Sequence, residues 1–341
     1  MGTVQKPIVI AHRGVPGCRL EHTRAGYDLA IELGADYLEP DVVCSADGHL
    51  VVRHENEIGH TTDVADHPEL ARRRTTKFVD GIPRTGWFTE DFTLAELRTL
   101  RVIERLPQLR PQNIGLGGRE PIMTLDEVID IAVASTRAGR PVGVYVEVKH
   151  PTYFRELGLD LGDRLVEVLR RRTLVGTDAE VPVVVQCFET GLLRELREQV
   201  PLALIQLLDR KGAPWDLVAA RDPRDYSALV RPEEVARIAE YADGIGPNKS
   251  LVIGRDSLRR LTTPTGLVGT AHAVGLEVHI WTMRDENNFL PADYRVGDDV
   301  AALGDAVAEY RRFLEAGVDG FHTDHTGTAV PAIATWCAAR V

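Results

Sequence analysis

Ile8-Val9-Ile10-Ala11-His12-Arg13-Gly14 is the stretch around which the rest of the chain is organised. Its four consecutive apolar residues read as a strand buried on both faces, as in a parallel sheet. A histidine and an arginine then emerge together at the strand's C-terminal end. In an α/β barrel that end carries the chemistry, because the βα loops converge there. Gly14 lets the backbone turn sharply and approach a ligand. Arg13 offers a rigid fork of donors for a phosphate or carboxylate. His12 offers a group that titrates near neutrality.

The chain around this strand has 341 residues, enough for two average domains or one large barrel with an insertion. Its 44% hydrophobic and 27% charged residues are ordinary for a globular enzyme. A net charge of −11 argues against a nucleic-acid partner, since no basic stripe exists to meet a polyanion. The one basic run, Arg72-Arg73-Arg74, reads as a solvated helix face. The cysteines Cys18, Cys44, Cys187 and Cys337 are scattered, with no CxxC and no zinc-like spacing. Cys187 sits in an apolar run and reads as core. No apolar stretch approaches the roughly 18 residues of a membrane span. No signal peptide is visible, which leaves a cytoplasmic protein or the mature form of an exported one.

Along the chain, Glu21 to Leu33 reads as a helix ended by Gly34. Ala35 to Val43 is the second strand, and Asp47-Gly48 turns it into Leu50–His54 as a hairpin. A turn centred between Ala46 and Asp47 would set Glu39 opposite His54. This second arm is an antiparallel excursion and not a barrel stave. Residues 56–119 break the rhythm and read as a small inserted domain with its own core. They hold a charged helix and the aromatic patch Trp87-Phe88-Thr89-Glu90-Asp91-Phe92. A helix from Leu125 to Ala138 restores the alternation. Strands follow at Gly143–Lys149, Val183–Cys187, Ala203–Leu207, Gly244–Gly246, Glu277–Trp281 and Gly320–Thr323, the fourth being too short to carry a clear signal. With the first two they make eight parallel staves. The economical reading is a (β/α)8 barrel from residues 1–55 and 120–341. Pro223 to Pro232 reads as a loop.

Polar residues recur at the strand ends. Glu39 and Asp41 share one face of the second strand, and Glu147 and Lys149 one face of the third, because side chains at i and i+2 point the same way. Charges turned into a barrel are costly unless paired or bound to a metal. Glu147–Lys149 could be an ordinary buried salt bridge. That plain reading is weaker for Glu39–Asp41, since like charges repel and nothing local neutralises them. Three inward carboxylates without cysteine suit a hard cation, Ca²⁺ or Mg²⁺. His12 and His54 beside it suit general acid–base catalysis, with Arg13 and Lys149 holding an anionic substrate.

These residues resemble the glycerophosphodiester phosphodiesterase family. The motifs are His12-Arg13-Gly14, Glu21-His22-Thr23, Gly34-Ala35-Asp36, Glu39-x-Asp41-Val42, Asp47-Gly48, His54, Glu147-x-Lys149, Trp281-Thr282 and Gly317-Val318-Asp319-Gly320-x-x-Thr323-Asp324. They span nearly the whole chain in order, and the long stretch after His54 is similar to the longer, periplasmic-type branch. The resemblance implies a TIM barrel of the phospholipase C-like phosphodiesterase type with a small insertion at 56–119. It implies hydrolysis of glycerophosphodiesters such as glycerophosphocholine or glycerophosphoethanolamine to glycerol 3-phosphate and an alcohol. The residues matching Glu39, Asp41 and Glu147 would hold a divalent cation, Ca²⁺ before Mg²⁺. Those matching His12 and His54 would be acid and base, and Arg13 and Lys149 would contact phosphate.

Gln186 and Trp281, at strand ends, are further candidates for the substrate pocket. Asp324 is placed to orient a histidine or lysine. Two departures from the family pattern stand out: His22, where asparagine is usual, and Glu55, where aspartate is common. His60, Asp63 and Asp66 could form a second metal cluster, but a solvated turn is the plainer reading. Partners reduce to a small-molecule substrate, with no nucleic acid or integral membrane association and with a homodimer left open. Two alternatives keep the same site, a lysophospholipase D and a cell-wall polymer phosphodiesterase. Trp87, Phe88 and Phe92 would serve the lipid enzyme as an apolar entrance, or else be plain core. A catalytically dead binding barrel would lack a histidine or carboxylate, and none is missing. A sugar isomerase or aldolase on the same fold leaves the two histidines and the arginine unexplained.

Overall fold

The computed structural model describes residues 6–176 and 178–340. Eight parallel strands close into a barrel, and we number these alone: β1 (Ile8–His12), β2 (Tyr37–Glu39 continued by Asp41–Cys44), β3 (Gly143–Val148), β4 (Val183–Cys187), β5 (Ala203–Leu208), β6 (Gly244–Pro247), β7 (Glu277–Met283) and β8 (Gly320–Thr323). Each strand pairs with its neighbours in sequence, and β8 pairs with β1 to close the ring. The apolar runs explain the pattern. On β1, β3 and β4 the residues are buried on both sides, one face against outer helices and the other inside the barrel. Ile10, Tyr145, Val184 and Ile205 fill the interior as a separate apolar cluster. Outside it, helices such as Arg24–Glu32 and Leu125–Arg137 cover the staves, each begun by a threonine cap at Thr23 or Thr124.

Pro40 splits β2 because it has no N–H for the ladder. Its carbonyl still accepts from Glu147 N at 2.9 Å, so the stave continues to Cys44. Register then sets a belt of polar residues near the C-terminal ends of the strands. His12 stands opposite Glu39, Asp41 opposite Glu147, and Glu147 opposite Gln186.

Several expectations need correction. The hairpin pairs Val42 with Val52 and Cys44 with Leu50, one step from the expected register. Asp41 therefore faces Arg53, whose N–H reaches Asp41 O at 3.1 Å, and His54 falls beyond the ladder. The reason is a three-residue loop in which Gly48 takes φ +85°, the left-handed position that closes such turns. The first helix begins at Arg24, leaving Glu21 and His22 in an irregular, buried segment. The apolar residues of the stretch 56–119 pack against the barrel. Val64, Val79, Phe88, Phe92, Leu97 and Leu100 join the cluster that surrounds the barrel. Phe88 and Phe92 are fully buried and Trp87 packs on that cluster, so the aromatic patch is core and forms no entrance. Its charged helix is a 3-10 segment, Pro68–Arg73. The loop 223–232 contains a short helix, Tyr226–Leu229. The four cysteines are free. No helix among the described residues is long and apolar enough to cross a membrane.

Candidate active site

A cavity of about 480 Å³ opens at the C-terminal ends of the strands, and His12, Arg13, His54, Lys149, Gln186 and Trp281 all line it. Glu147 lines it too, and Glu39 and Asp41 cluster with Glu147. Ligand atoms of these three carboxylates lie within 4.8 Å of one another, and no other such group occurs among the described residues. His60, Asp63 and Asp66 do not converge on a metal site. Asp63 instead accepts from Arg101 N at 2.8 Å and approaches His67.

Electrostatics in the cluster are unbalanced. Burial, with Asp41 and Glu147 nearby, holds Glu39 well above the usual carboxylate range. Burial likewise raises Glu147 to about 7, against the pull of Lys149 Nζ at 2.6 Å from its Oε1. Burial opposes the charge of Asp41 as well, but Arg13 and Lys149 overcome it and keep Asp41 ionised. Arg13 Nε lies 3.0 Å from Asp41 Oδ2 and its Nη1 donates to Glu21 at 3.1 Å. Asp41 Oδ1 and Gln186 Oε1 are buried and lack a hydrogen-bond partner. Three hard oxygen donors with two lysine and arginine charges beside them, and unpartnered oxygens within the group, are compatible with a bound divalent cation.

Each histidine is tied to a carboxylate. His12 Nδ1 lies 2.5 Å from Asp324 Oδ1, and His54 Nδ1 lies 3.2 Å from Glu55 Oε1. Glu55 also approaches His150 Nε2 at 3.4 Å and Arg84 at 3.1 Å, so the longer side chain at this position is well anchored. Burial, then Arg13, depress His12 to about 4, and burial with Arg13 and Lys149 depress His54 to about 3. Both rings are thus neutral near pH 7. His22 does not reach the cavity. It bridges Asp41 Oδ2 at 2.9 Å and the Tyr27 hydroxyl at 2.9 Å, which orients that carboxylate.

The sequence reading missed Arg110, Arg284, Arg105 and His322. Arg110 is buried and meets Glu286 Oε1 at 2.7 Å and Asp324 Oδ2 at 2.5 Å. Arg284 meets the same Asp324 oxygen at 2.7 Å and lines the cavity. Arg105 donates to Glu21 at 2.7 Å. His322 shares its strand face with Asp324 by i, i+2 spacing, which is the one local signal for it.

The profile of the glycerophosphoryl diester phosphodiesterase family matches residues 12–328. The chain belongs to this family. It is 35% identical over 334 residues to a glycerophosphodiester phosphodiesterase of Arabidopsis thaliana, covering 95% of this chain and 85% of that protein. It is 27% identical to a glycerophosphodiester phosphodiesterase of Haemophilus influenzae, covering 95% and 88%. Among solved structures, a phosphodiesterase of Oleispira antarctica in complex with the product sn-glycerol-3-phosphate superposes with a TM-score of 0.60 at 21% identity, covering 96% and 97%. A glycerophosphodiester phosphodiesterase of Thermotoga maritima gives 0.54 at 18%, covering 95% and 97%. The protein is accordingly an enzyme, a phosphoric diester hydrolase on a TIM barrel.

Proposed function

We propose that the protein hydrolyses glycerophosphodiesters, such as glycerophosphocholine or glycerophosphoethanolamine, to glycerol 3-phosphate and the free alcohol. The observation that carries this reading is the convergence on one cavity of two carboxylate-tied histidines, Arg13 and Lys149, beside the cluster of Glu39, Asp41 and Glu147. Arg13 and Lys149 bind the phosphodiester anion, with Gln186 and Trp281 as walls of the substrate pocket. One histidine takes the proton of the attacking oxygen as the new P–O bond forms. The other gives a proton to the alkoxide as the old P–O bond breaks. Hydrolysis adds one water overall, and the histidines exchange protonation states. Glu39, Asp41 and Glu147 would hold a divalent cation, Ca²⁺ in preference to Mg²⁺, which when bound supplies positive charge to the phosphoryl oxygens.

The test is release of glycerol 3-phosphate from glycerophosphocholine by chelator-treated protein, with Ca²⁺ or Mg²⁺ added back, alongside His54→Ala. Activity that requires the cation and disappears in the variant is expected. Activity surviving both treatments would remove the acid–base and metal roles assigned here.

A further inference from the structure

Resting on the reading of the main cavity as a phosphodiester site, we infer that a second cavity beside Phe188 seats the departing alcohol and favours alcohols that carry a positive charge. This side cavity measures about 340 Å³ and shares Glu147, Lys149, Phe188 and Asp209 with the main one.

The two cavities differ in character. Arg13, Arg105, Lys149, Lys249 and Arg284 line the main cavity, which suits a phosphate and repels a cation. Each of these is paired with a carboxylate: Arg13 and Arg105 with Glu21, Lys149 with Glu147, Lys249 with Glu309, and Arg284 with Asp324. Of them only Lys149 also lines the side cavity, where His150, held by Asp80, is the other basic group. Among the acidic groups of the side cavity, Asp209 and Glu189 both lack a cationic partner among the described residues. Burial raises Glu189 to about 8 and favours its neutral form, which leaves Asp209 as the charge. Its Oδ1 accepts from Arg210 N at 2.6 Å and from Asn248 Nδ2 at 3.4 Å, and it has no cationic side-chain partner among the described residues. It lines both cavities, so its charge faces the side cavity without an ion-pair partner among the described residues.

Three aromatic rings complete the setting. Phe188, Trp215 and Tyr226 line the side cavity, with Phe188 and Tyr226 at 6.1 Å between centroids and 74° between planes. Rings of this kind attract an ammonium through their negative faces, more strongly where water is excluded. Phe188 already has Lys149 Nζ at 5.7 Å from its centroid, which leaves Trp215 and Tyr226 for a ligand. The turn at Asp80-Gly81 closes over Trp215. A Cβ at Gly81 would fall 2.6 Å from that ring, so the wall tolerates no larger residue there. Of the other polar groups, Asp80 Oδ2 meets His150 Nδ1 at 2.6 Å and Glu189 accepts from Thr152 N at 3.2 Å, while Asp80 Oδ1 and His150 Nε2 are buried without a hydrogen-bond partner. A zwitterion with phosphate and ammonium a short chain apart matches a cationic cavity joined to an aromatic one through Asp209.

The experiment compares kcat/KM for glycerophosphocholine and glycerophosphoglycerol in the natural protein, Asp209→Asn and Trp215→Leu. The natural protein should favour the choline ester about tenfold. Both variants should lose most of that ratio while hydrolysing glycerophosphoglycerol within about twofold of the natural rate. Equal rates on the two esters, or an equal loss on both in each variant, would overturn the inference and leave the phosphodiesterase reading intact. No glycerol 3-phosphate from either ester would count against that reading instead. In that event tetramethylammonium titration followed by tryptophan fluorescence decides: saturable quenching lost in Asp209→Asn supports the side cavity as a cation site, and its absence in the natural protein overturns it.

Discussion

Asp324 accepts the Nδ1–H of His12 at 2.5 Å, joining the last barrel strand to the first. Burial opposes its charge, but Arg284 and Arg110 keep this carboxylate well below the usual range, so it can only accept. The tautomer of His12 follows: Nδ1 carries the proton, which in the proposed mechanism leaves Nε2 for the substrate.

Asp324→Asn should therefore disturb the ring without emptying its place. The amide can present its NH₂ to Nδ1 and favour the wrong tautomer. We expect kcat to fall about 10²–10⁴-fold, the range of one acid–base group, with KM nearly unchanged. Steady-state kinetics across pH 5–9 check it, and a loss confined to KM would contradict the assignment.

Removing the cation and removing one of its carboxylates should differ. In chelator, Glu39→Gln should be as stable as the natural protein or more so, because one of three crowded carboxylates is gone. Gln186 Nε2 now donates to Glu39 Oε1 at 3.2 Å, and its amide can turn to receive the new NH₂. Added Ca²⁺ should raise the Tm of the natural protein, by an amount corresponding to about 2.7 kcal/mol at a hundredfold excess over Kd. Glu39→Gln should show little of that rise. Thermal scans with and without Ca²⁺ measure both effects.

His150 makes stability depend on pH. Burial works against its charge, yet the hydrogen bond to Asp80 (2.6 Å) and the Glu55 carboxylate 3.4 Å from Nε2 raise it to about 9. The unfolded value is about 6.5. A pKa raised in the folded state stabilises fully below pH 6.5, and that contribution is lost as pH rises through 9. Asparagine suits the left-handed backbone at this residue, φ +51°. The stability difference between the natural protein and His150→Asn should shrink by roughly 1–3 kcal/mol between pH 6.5 and 9.5. Urea unfolding at several pH values reads it.

Arg110 neutralises two buried carboxylates, Asp324 and Glu286. Arg110→Ala leaves both in place without it, and a loss of about 3–5 kcal/mol is expected. Its Tm should fall well below that of Arg98→Ala, which breaks an exposed pair with Glu127.

Much of the barrel was readable because its strands are contiguous apolar runs. Val183-Val184-Val185 carries that signal, and the bounds of Val183–Cys187 match the expectation, as do those of Gly320–Thr323, where Phe321 is the one large apolar residue. The polar belt was readable because i, i+2 spacing on a strand fixes a shared face, as at Glu39-x-Asp41. The hairpin Thr75–Val79 with Ile82–Gly86 escaped notice although Asp80-Gly81 marks its turn. Most of its residues are exposed on both faces, so no apolar alternation drew attention to it. Arg110 escaped for another reason. Nothing in Leu109-Arg110-Pro111 foretells burial, and the partner that makes burial tolerable lies 214 residues away.

That distance has a consequence for how the enzyme comes into being. The histidine at the start of the chain is aligned by a carboxylate 312 residues later, and that carboxylate is held by an arginine from the stretch between β2 and β3. On the ribosome, His12 is made early but acquires its orienting partner only when the final stave docks beside β1. A partly synthesised chain therefore holds its reactive groups unaligned, and the appearance of turnover during refolding becomes a clock for closure of the ring, the most non-local event of the fold.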